Sequence, residues 1–431
     1  MMNSLLFTVW SVVCAAVASA RAADDANRVL VLLDRLEGDH GKFLGHISSL
    51  GYDVTTALAS SEDVVLQKID EWQYDHLVVL GGESAFGAGV EAKKQLEFFE
   101  SGRSVYLALN PSSSGKARAL AKRLGADMEA KESTVIDPFD SRSSLTSPSS
   151  STAVKAIVDA AAAEHMLPGV IDSRSDVVFM DGIGFSIAPE AIMTVGALHA
   201  APTAFSTKDA SVAAPKPANA KLGGYNLKLA ALVQGRNNAR AAVVGSTAML
   251  SDAALGKHQG NEAFAKDSLE WVFGERGVLT SSDIRHKRVD ADEWNPAEGY
   301  RVKDEVEVYM DMLACDKGVC GPYGGTDVQI ELRMLDPYIR KTLTNMGNGT
   351  FAAKMTVPDV YGVFKFQVDY TRPGLSWVKK ETVVSIRPFR HDEYARFLSQ
   401  AFPYYASVVS MSIGFLVVGG TFVFGGRGDE K

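Results

Sequence analysis

The spacing of apolar and polar residues along the chain changes period twice. Up to about residue 275, short continuous apolar runs alternate with segments of helical spacing. RVLVLL at 28–33 and HLVVL at 76–80 are unbroken, as expected of strands buried on both faces. Residues 52–57 and 104–109 add two more strands. Helices are expected over 40–50, closed by Gly51, over 64–72, and over 90–101, closed by Gly102. Farther on, 154–163 is Ala-rich and reads as a helix, and 177–180 and 192–198 are short apolar pieces. Residues 227–234 and 239–245 read as buried strands, and 261–273 as a helix with Phe264, Leu269 and Trp271 facing inward. This alternation predicts an α/β, Rossmann-like region over residues 24–275 with a mostly parallel sheet and its sites at the carboxyl ends of the strands. Two stretches interrupt it. Residues 140–152 form a Ser/Pro-rich loop, and 199–219 read as a poorly ordered Ala/Pro-rich insertion.

After a linker at 276–299, the period becomes two. Val306, Val308, Met310 and Met312 alternate with polar residues, as do Val328, Ile330 and Leu332. Phe364, Phe366, Val368 and Tyr370 follow the same rule, then Val384 and Ile386. Half-buried antiparallel strands of this kind predict a β-sandwich over 300–388. In the juxtamembrane segment 389–403, Tyr394, Phe397, Leu398 and Ala401 fall on one helical face. That places the segment either on a membrane surface or in a short rigid stalk.

The last pattern is unbroken: Ala406 through Phe424 contains no charge. At about 1.5 Å per residue this run nearly matches the hydrocarbon thickness, so 404–424 is expected to be a membrane-spanning helix rather than a buried core helix. Phe402, Tyr404 and Tyr405 stand where interfacial aromatics belong. Ala406, Ser410 and Gly414 share one face at a spacing of four. Such a small-residue stripe lets another helix approach closely, although small residues are common in membrane helices generally. The run at 5–17, followed by Ala18-Ser19-Ala20, reads as a signal peptide over residues 1–23. Signal and terminal helix together imply a single-pass type I protein with a cytosolic tail at 425–431. Arg387, Arg390 and Arg396 precede the span and only Arg427 and Lys431 follow it, so the signal rather than the charge bias must set orientation.

The chain's net charge of −8 argues against nucleic acid as a partner. Of the three cysteines, Cys14 lies in the leader, leaving Cys315 and Cys320. In an oxidising compartment they are expected to pair across a hairpin loop. Two thiols alone do not complete a tetrahedral metal set, and no metal or cofactor is expected. Asn348-Gly349-Thr350 is a glycan acceptor sequon on a Gly-rich turn. Two near-motifs sit at strand ends. Gly87-Ala88-Gly89 with Ala92 matches a dinucleotide fingerprint in form, but it follows the wrong strand and lacks a ribose-binding carboxylate. Gly82-Glu83-Ser84-Ala85-Phe86 resembles a nucleophile elbow, with Phe86 where the second glycine belongs. Ser84 is therefore expected to serve as a turn or cap residue, and Asp34 as a helix cap or a contact to sugar hydroxyls.

Six stretches in order resemble one family: Gln234-Gly235-Arg236-Asn237-Asn238; Trp271-Val272-Phe273; Asp336-Pro337-Tyr338; Val357-Pro358-Asp359-Val360-Tyr361-Gly362; Glu393-Tyr394 with Arg396-Phe397; and Pro403-Tyr404-Tyr405-Ala406-Ser407. The ordered set is similar to the 48-kilodalton subunit family of the eukaryotic oligosaccharyltransferase. The resemblance implies an accessory, non-catalytic subunit of an endoplasmic-reticulum complex. That complex moves a dolichol-linked oligosaccharide to Asn-x-Ser/Thr of nascent chains. The resemblance further implies hetero-oligomeric partners of the ribophorin II and DAD1 types, with catalysis on another, multi-span subunit. It also implies an N-terminal region like the glutamine amidotransferases but without their chemistry. The chain departs from the family at the Ala/Pro insertion, at the Cys315–Cys320 loop, and in its tail, which lacks the Lys-rich ending of many relatives. Two other readings compete: a membrane-tethered lumenal α/β hydrolase-like enzyme using Ser84, and a type I cell-surface binding module.

Overall fold

Residues 27–35, 39–139, 153–173, 175–191, 193–208, 222–394 and 396–425 are described by the computed structural model. The signal peptide, the Ser/Pro-rich loop at 140–152, the insertion beyond residue 208 and the tail beyond Gly425 lie outside the described residues.

Arg28–Leu33 (β1) is apolar on both faces because it lies inside a sheet covered on both sides. It is flanked by Asp53–Leu58 (β2) and His76–Gly81 (β3), with Ser104–Leu109 (β4) beyond β3. Past residue 150 come Ala153–Val158 (β5), Val177–Met180 (β6), Thr194–Ala200 (β7), Lys228–Gln234 (β8) and Arg240–Val244 (β9). The order across the sheet is β6-β5-β7-β8-β9-β4-β3-β1-β2. The half from β2 to β9 is parallel, and the half from β9 to β6 is antiparallel. The sheet is thus mixed, where the alternation predicted a mostly parallel one.

Helices cover both faces. Gly41–Ser49 (α1) buries Phe43 and Ile47 on the face that carries Val29, Val31 and Tyr106. Ala92–Glu100 (α2) and Gly115–Arg123 (α3) bury Phe98, Leu120 and Ala121 on the opposite face, with Leu30, Leu32 and Leu107. Gln259–Val272 (α4) packs beside α1 and buries Phe264, Leu269 and Trp271, each contributing roughly 2–3 kcal/mol of transfer free energy.

The structure also differs from the sequence reading in the local conformation of several segments. Residues 64–72 are not helical: two-residue strands at Gln67–Lys68 and Glu71–Trp72 form a hairpin, and the turn puts Ile69 and Asp70 at φ 49° and 61°. Leu66 N–H bonds to Gly89 O and Gln73 N–H to Leu66 O, so tertiary partners have taken the hydrogen bonds a helix would use. Residues 153–158 form β5, because pairing with β6 and β7 and burial of Val154 and Ala156 outweigh alanine's weak helical preference. Only Ala160–Ala163 stays helical. The Ala/Pro-rich insertion begins in ordered structure, since β7 runs to Ala200 and Phe205–Thr207 pairs with Thr134–Ile136. Finally, residues 276–299 are not merely a linker but supply strands to the second sheet system.

That system begins with Val278–Ser281 (β10) and Arg285–Arg288 (β11), which pair side by side with the long strand Glu305–Asp316 (β13). Tyr300–Arg301 (β12) lies between them in sequence. Then follow Val319–Pro322 (β14), Gln329–Arg333 (β15), Pro337–Thr342 (β16), Thr344–Asn345 (β17), Thr350–Thr356 (β18), Gly362–Tyr370 (β19) and Val378–Arg387 (β20). One sheet runs β10-β13-β18-β17 with β11 and β14 also on β13; the other runs β12-β20-β19-β15-β16. The alternating residues Val306, Val308, Met310 and Met312 face Ile330, Leu332, Phe364, Phe366 and Val368 across a shared core, giving a β-sandwich. Residues 390–394 and 396–398 hold turns and bends rather than the expected amphipathic helix. Phe402–Gly425 (α5) is the last described helix, and beyond its first turn no other described residue covers its apolar surface.

His286 of β11 is buried between Tyr300 and Phe366 and shares a 2.6 Å hydrogen bond with Tyr300 Oη. Burial lowers its pKa to about 4. The unfolded chain binds the proton near 6.5 and the folded chain near 4, so stability is full above pH 6.5 and falls as pH drops through that window. We expect a loss of up to about 3 kcal/mol between pH 7 and pH 4. His286→Gln should remove that part of the slope in urea unfolding followed by circular dichroism.

Candidate functional site

The carboxyl ends of β3, β4 and β9 open into a cleft of about 450 Å³. Asp34, directly after β1, accepts the backbone N–H groups of Glu83 and Ser84, each at 3.0 Å. This close approach depends on glycine. A Cβ on Gly81 would lie 1.8 Å from Asp34 Oδ2, and Gly81 and Gly82 have φ of 113° and 77°. Glu83 in turn accepts from Asn110 Nδ2 at 3.3 Å and from Ser112 Oγ. Thr247 donates its hydroxyl to Asn110 Oδ1, and Ser113 Oγ donates to Gly81 O at 2.9 Å. Glu83, Asn110, Ser112 and Thr247 line the cleft together with Glu132, Thr134 and Asp181, while Asp34 supports it from behind through the backbone of Glu83 and Ser84. Its lining offers carboxylates, hydroxyls and an amide, and no cation. It is suited to hydrogen-bonding with hydroxyl groups and electrostatically unfavourable to phosphates.

Ser84 is held through its backbone. Phe86 is buried in the core, a short 3₁₀ turn follows at Ala88–Val90, and α2 opens only at Ala92. Ser84 therefore lies on a loop and not at the head of a helix, where a nucleophile elbow would put it. The two nearby glycines pack chain against chain: a Cβ on Gly87 would meet Ser61 O at 2.2 Å, and one on Gly89 would meet Val64 O at 2.0 Å. The Gly87 N–H is spent on Ala59 O at 2.9 Å. Among the described residues, no group of three or more His, Cys, Asp or Glu side chains is placed to hold a metal ion.

A second polar cluster joins the α/β region to the sandwich. Arg240, at the start of β9, is almost fully buried. Its guanidinium donates to Trp271 O at 2.9 Å, Arg276 O at 2.5 Å, Gly277 O at 2.7 Å and Ser376 Oγ at 3.2 Å. Burial lowers its pKa to about 10, which leaves it charged at neutral pH. Trp271 Nε1 donates to Gly374 O at 2.8 Å, and Asn238 exchanges two hydrogen bonds with the Trp377 backbone. From the other sheet, Asp316 accepts Gly277 N–H at 2.8 Å and Lys317 Nζ reaches buried Glu270 at 2.9 Å. Asp316 and Lys317 form the tip of the β13–β14 hairpin. There Cys315 and Cys320 face each other in register with their sulfurs 2.02 Å apart. Sequence reasoning missed this junction. The available signals were an arginine opening an otherwise apolar strand and an acidic residue, Glu270, on a helix face shared with core residues.

The remaining residues singled out by sequence lie elsewhere. Asn348 is exposed on the hairpin between β17 and β18, and Thr350 Oγ1 of its sequon donates to Asp311 Oδ1 at 2.7 Å. Ala406, Ser410 and Gly414 are exposed along α5, and Ser410 satisfies its hydroxyl on Ser407 O at 2.9 Å. Phe402 and Tyr404 are exposed, whereas Tyr405 stacks on Phe397 with ring centres 4.8 Å apart.

Comparison with known proteins gives one consistent result. Residues 20–275 match the family description "OST48, N-terminal domain" and residues 286–426 match "OST48 middle domain". The dolichyl-diphosphooligosaccharide–protein glycosyltransferase 48 kDa subunit of Arabidopsis thaliana is 32% identical over 406 residues, covering 90% of this chain and 91% of that protein. The subunits of the same name from Danio rerio and Caenorhabditis elegans are 31% and 30% identical, covering 90% and 91% of this chain and 90% of each relative. A glutamine amidotransferase from Thermotoga maritima aligns over 58% of this chain and 99% of its own, at 10% identity. Its TM-score of 0.31 is too low to carry an argument.

Replacing Arg240 with Met would remove the guanidinium from three carbonyls at the junction: Trp271 O keeps Gly274 N–H and Gly277 O keeps Ser376 N–H, but Arg276 O loses its donor. We expect Arg240→Met to cost roughly 3 kcal/mol or more, and to expose the 276–277 peptide bonds to limited proteolysis before the sheet cores unfold.

Proposed function

The chain belongs to the family of the dolichyl-diphosphooligosaccharide–protein glycosyltransferase 48 kDa subunit, and from that premise we propose that it is a non-catalytic subunit on which assembly and stability of the complex depend. Its role in N-linked glycosylation is accessory. The observation that carries the membership is the match of both family descriptions in order, through the sandwich and into α5. The non-catalytic part rests on the strand ends, where Asp34 holds backbone amides, Glu83 accepts from Asn110 and Ser112, Thr247 donates to Asn110, and Ser84 stands on a loop. Catalysis would then belong to a separate multi-span subunit.

The single-pass helix α5 anchors the chain in the membrane of the endoplasmic reticulum with the bulk of the protein in the lumen. The lumenal placement is supported by the signal-like start and by the oxidised pairing of Cys315 with Cys320, which needs such a compartment. Asn348 would be open to glycosylation there. The face formed by Ala406, Ser410 and Gly414 would receive helices of neighbouring subunits of the ribophorin II and DAD1 types, with Phe402, Tyr404 and Tyr405 at the interface.

The test is a pull-down from mild-detergent membranes through an epitope placed after Lys431, with glycan transfer to an Asn-x-Thr peptide assayed in the eluate. We expect a multi-span subunit and transfer activity to co-elute, Ser84→Ala to leave transfer unchanged, and Gly414→Leu to reduce co-elution several-fold. Elution alone, where other membrane complexes survive, overturns the assembly role; loss of transfer on Ser84→Ala overturns the non-catalytic one. A mobility shift on glycosidase treatment, absent in Asn348→Gln, would check the glycan.

A further inference from the structure

One end of the β-sandwich is set apart by exposed apolar side chains, and the strand registers show which end it is. β19 starts at Gly362, which pairs with Ile386 near the end of β20. β15 ends at Arg333, which pairs with Lys365. The turn after β15 lies against the start of β19, since a Cβ on Gly362 would meet Met334 Sδ at 3.2 Å. Leu335 in that turn is 82% exposed, Tyr361 is 68% exposed and Val363 is 64% exposed, with Val360 beside them. A monomeric soluble surface has no reason to gather these side chains at one strand end.

The same end carries the connection to the membrane helix. After Arg387 closes β20, its guanidinium holds both oxygens of Glu393 at 2.8 Å, and Arg390 N–H adds a third bond at 2.8 Å. This keeps the Glu393 carboxyl ionised, with its pKa lowered to about 2. Phe389 packs on Tyr394 and lies under the Arg301 guanidinium. Only three residues later Phe397 stacks on Tyr405 in the first turns of α5. Three residues span at most about 10 Å, so the pinned connector holds the sandwich end close to the point where α5 enters lipid. The opposite end is distant: Thr350 of β18 pairs with Asp311, and Thr356 with Glu305, so Met346 and Asn348 stand about 20 Å away along the strands.

We propose that Leu335, Val360, Tyr361 and Val363 form a membrane-contact surface that dips into the headgroup region of the bilayer entered by α5. The occupant is lipid. The patch is continuous, through the connector, with the interfacial aromatics of the helix, and an amphipathic tyrosine and short aliphatic side chains are what that depth accepts. Arg333, whose Nε bonds Leu335 O at 3.1 Å, and exposed Arg390 flank the patch and suit phospholipid phosphates. Asp359, at the same end, is neutralised by Lys303 at 2.8 Å. The protein thus rests on the membrane at a second place besides its helix, which restrains the tilt of the whole extramembrane body.

The test uses the full chain in phosphatidylcholine nanodiscs, in a Cys14→Ser background with Cys315 and Cys320 left oxidised. Leu335→Cys, Tyr361→Cys and Met346→Cys are each labelled with an environment-sensitive fluorophore. All three positions are exposed, and Val363→Cys replaces either patch variant that loses the native circular dichroism. We expect blue-shifted emission at 335 and 361, quenched about twofold by lipids bearing a nitroxide near the headgroup, and solvent-like, unquenched emission at 346. Solvent-like emission at all three positions overturns the proposal. Blue-shifted emission that lipid nitroxides do not quench also overturns it, because the cover is then protein, a second copy of this chain.

Discussion

The extramembrane body of this chain depends on one buried cation. Arg240 sits where the central sheet, the end of α4 and the first residues of the sandwich meet, and its guanidinium holds carbonyls from the last two of these. A fork of donors can bind several acceptors in fixed directions, which an ammonium cannot do with the same geometry. A buried charge of this kind is tolerated only when its donors are satisfied. The carbonyls of Trp271, Arg276 and Gly277 therefore have to stay where they are, and those residues lead into β10. Around this point Trp271, Asn238, Asp316 and Lys317 add hydrogen bonds from both sheet systems. The two regions are joined by a polar lock as well as by chain connectivity.

The lock also fixes which end of β20 faces the α/β region. Trp377, bonded to the α/β region, immediately precedes β20, while Arg387 at the far end of β20 anchors the path to α5. Ten residues of strand at about 3.3 Å each separate the two contacts by roughly 30 Å. The sandwich accordingly acts as a spacer between the helix and the α/β region, and the cleft at the strand ends belongs to the body beyond it.

Much of this was legible in the sequence where local pattern and tertiary demand agree. The unbroken run of β1 and the alternation of β13, β15 and β19 predict burial on two faces and on one face respectively, and their side chains lie accordingly. The pattern misled where partners distant in sequence took over the backbone. Residues 153–158 carry alanines that favour a helix slightly, yet pairing on both sides, with β6 and β7, offers them more. Residues 390–398 have helical spacing, yet Arg387, Phe389 and Tyr405 each hold one of their side chains or backbone groups in another direction. The strand-end site was half legible. Gly82, Ser84 and Phe86 predict an imperfect elbow, but the reason for Gly81 and Gly82, the approach of Asp34 from another strand, is a contact across 47 residues or more that no local motif encodes. Arg240 was invisible for the same reason.

Polar groups at the strand ends of this sheet are used within the chain itself. Here Asp34, Glu83, Asn110 and Thr247 use theirs to tie four strand ends together. The effect is stiffness at the place where enzymes of this architecture usually keep their mobile loops. Stiffness at the strand ends, a charged lock at the junction and a pinned connector above α5 form an unbroken series. Were a neighbouring helix to set the orientation of α5, this series of contacts would carry it through the sandwich to the α/β region. That is the mechanical property a scaffold needs. Among the described residues, buried polar groups such as Arg240 and Glu270 are invested in contacts between the chain's own parts.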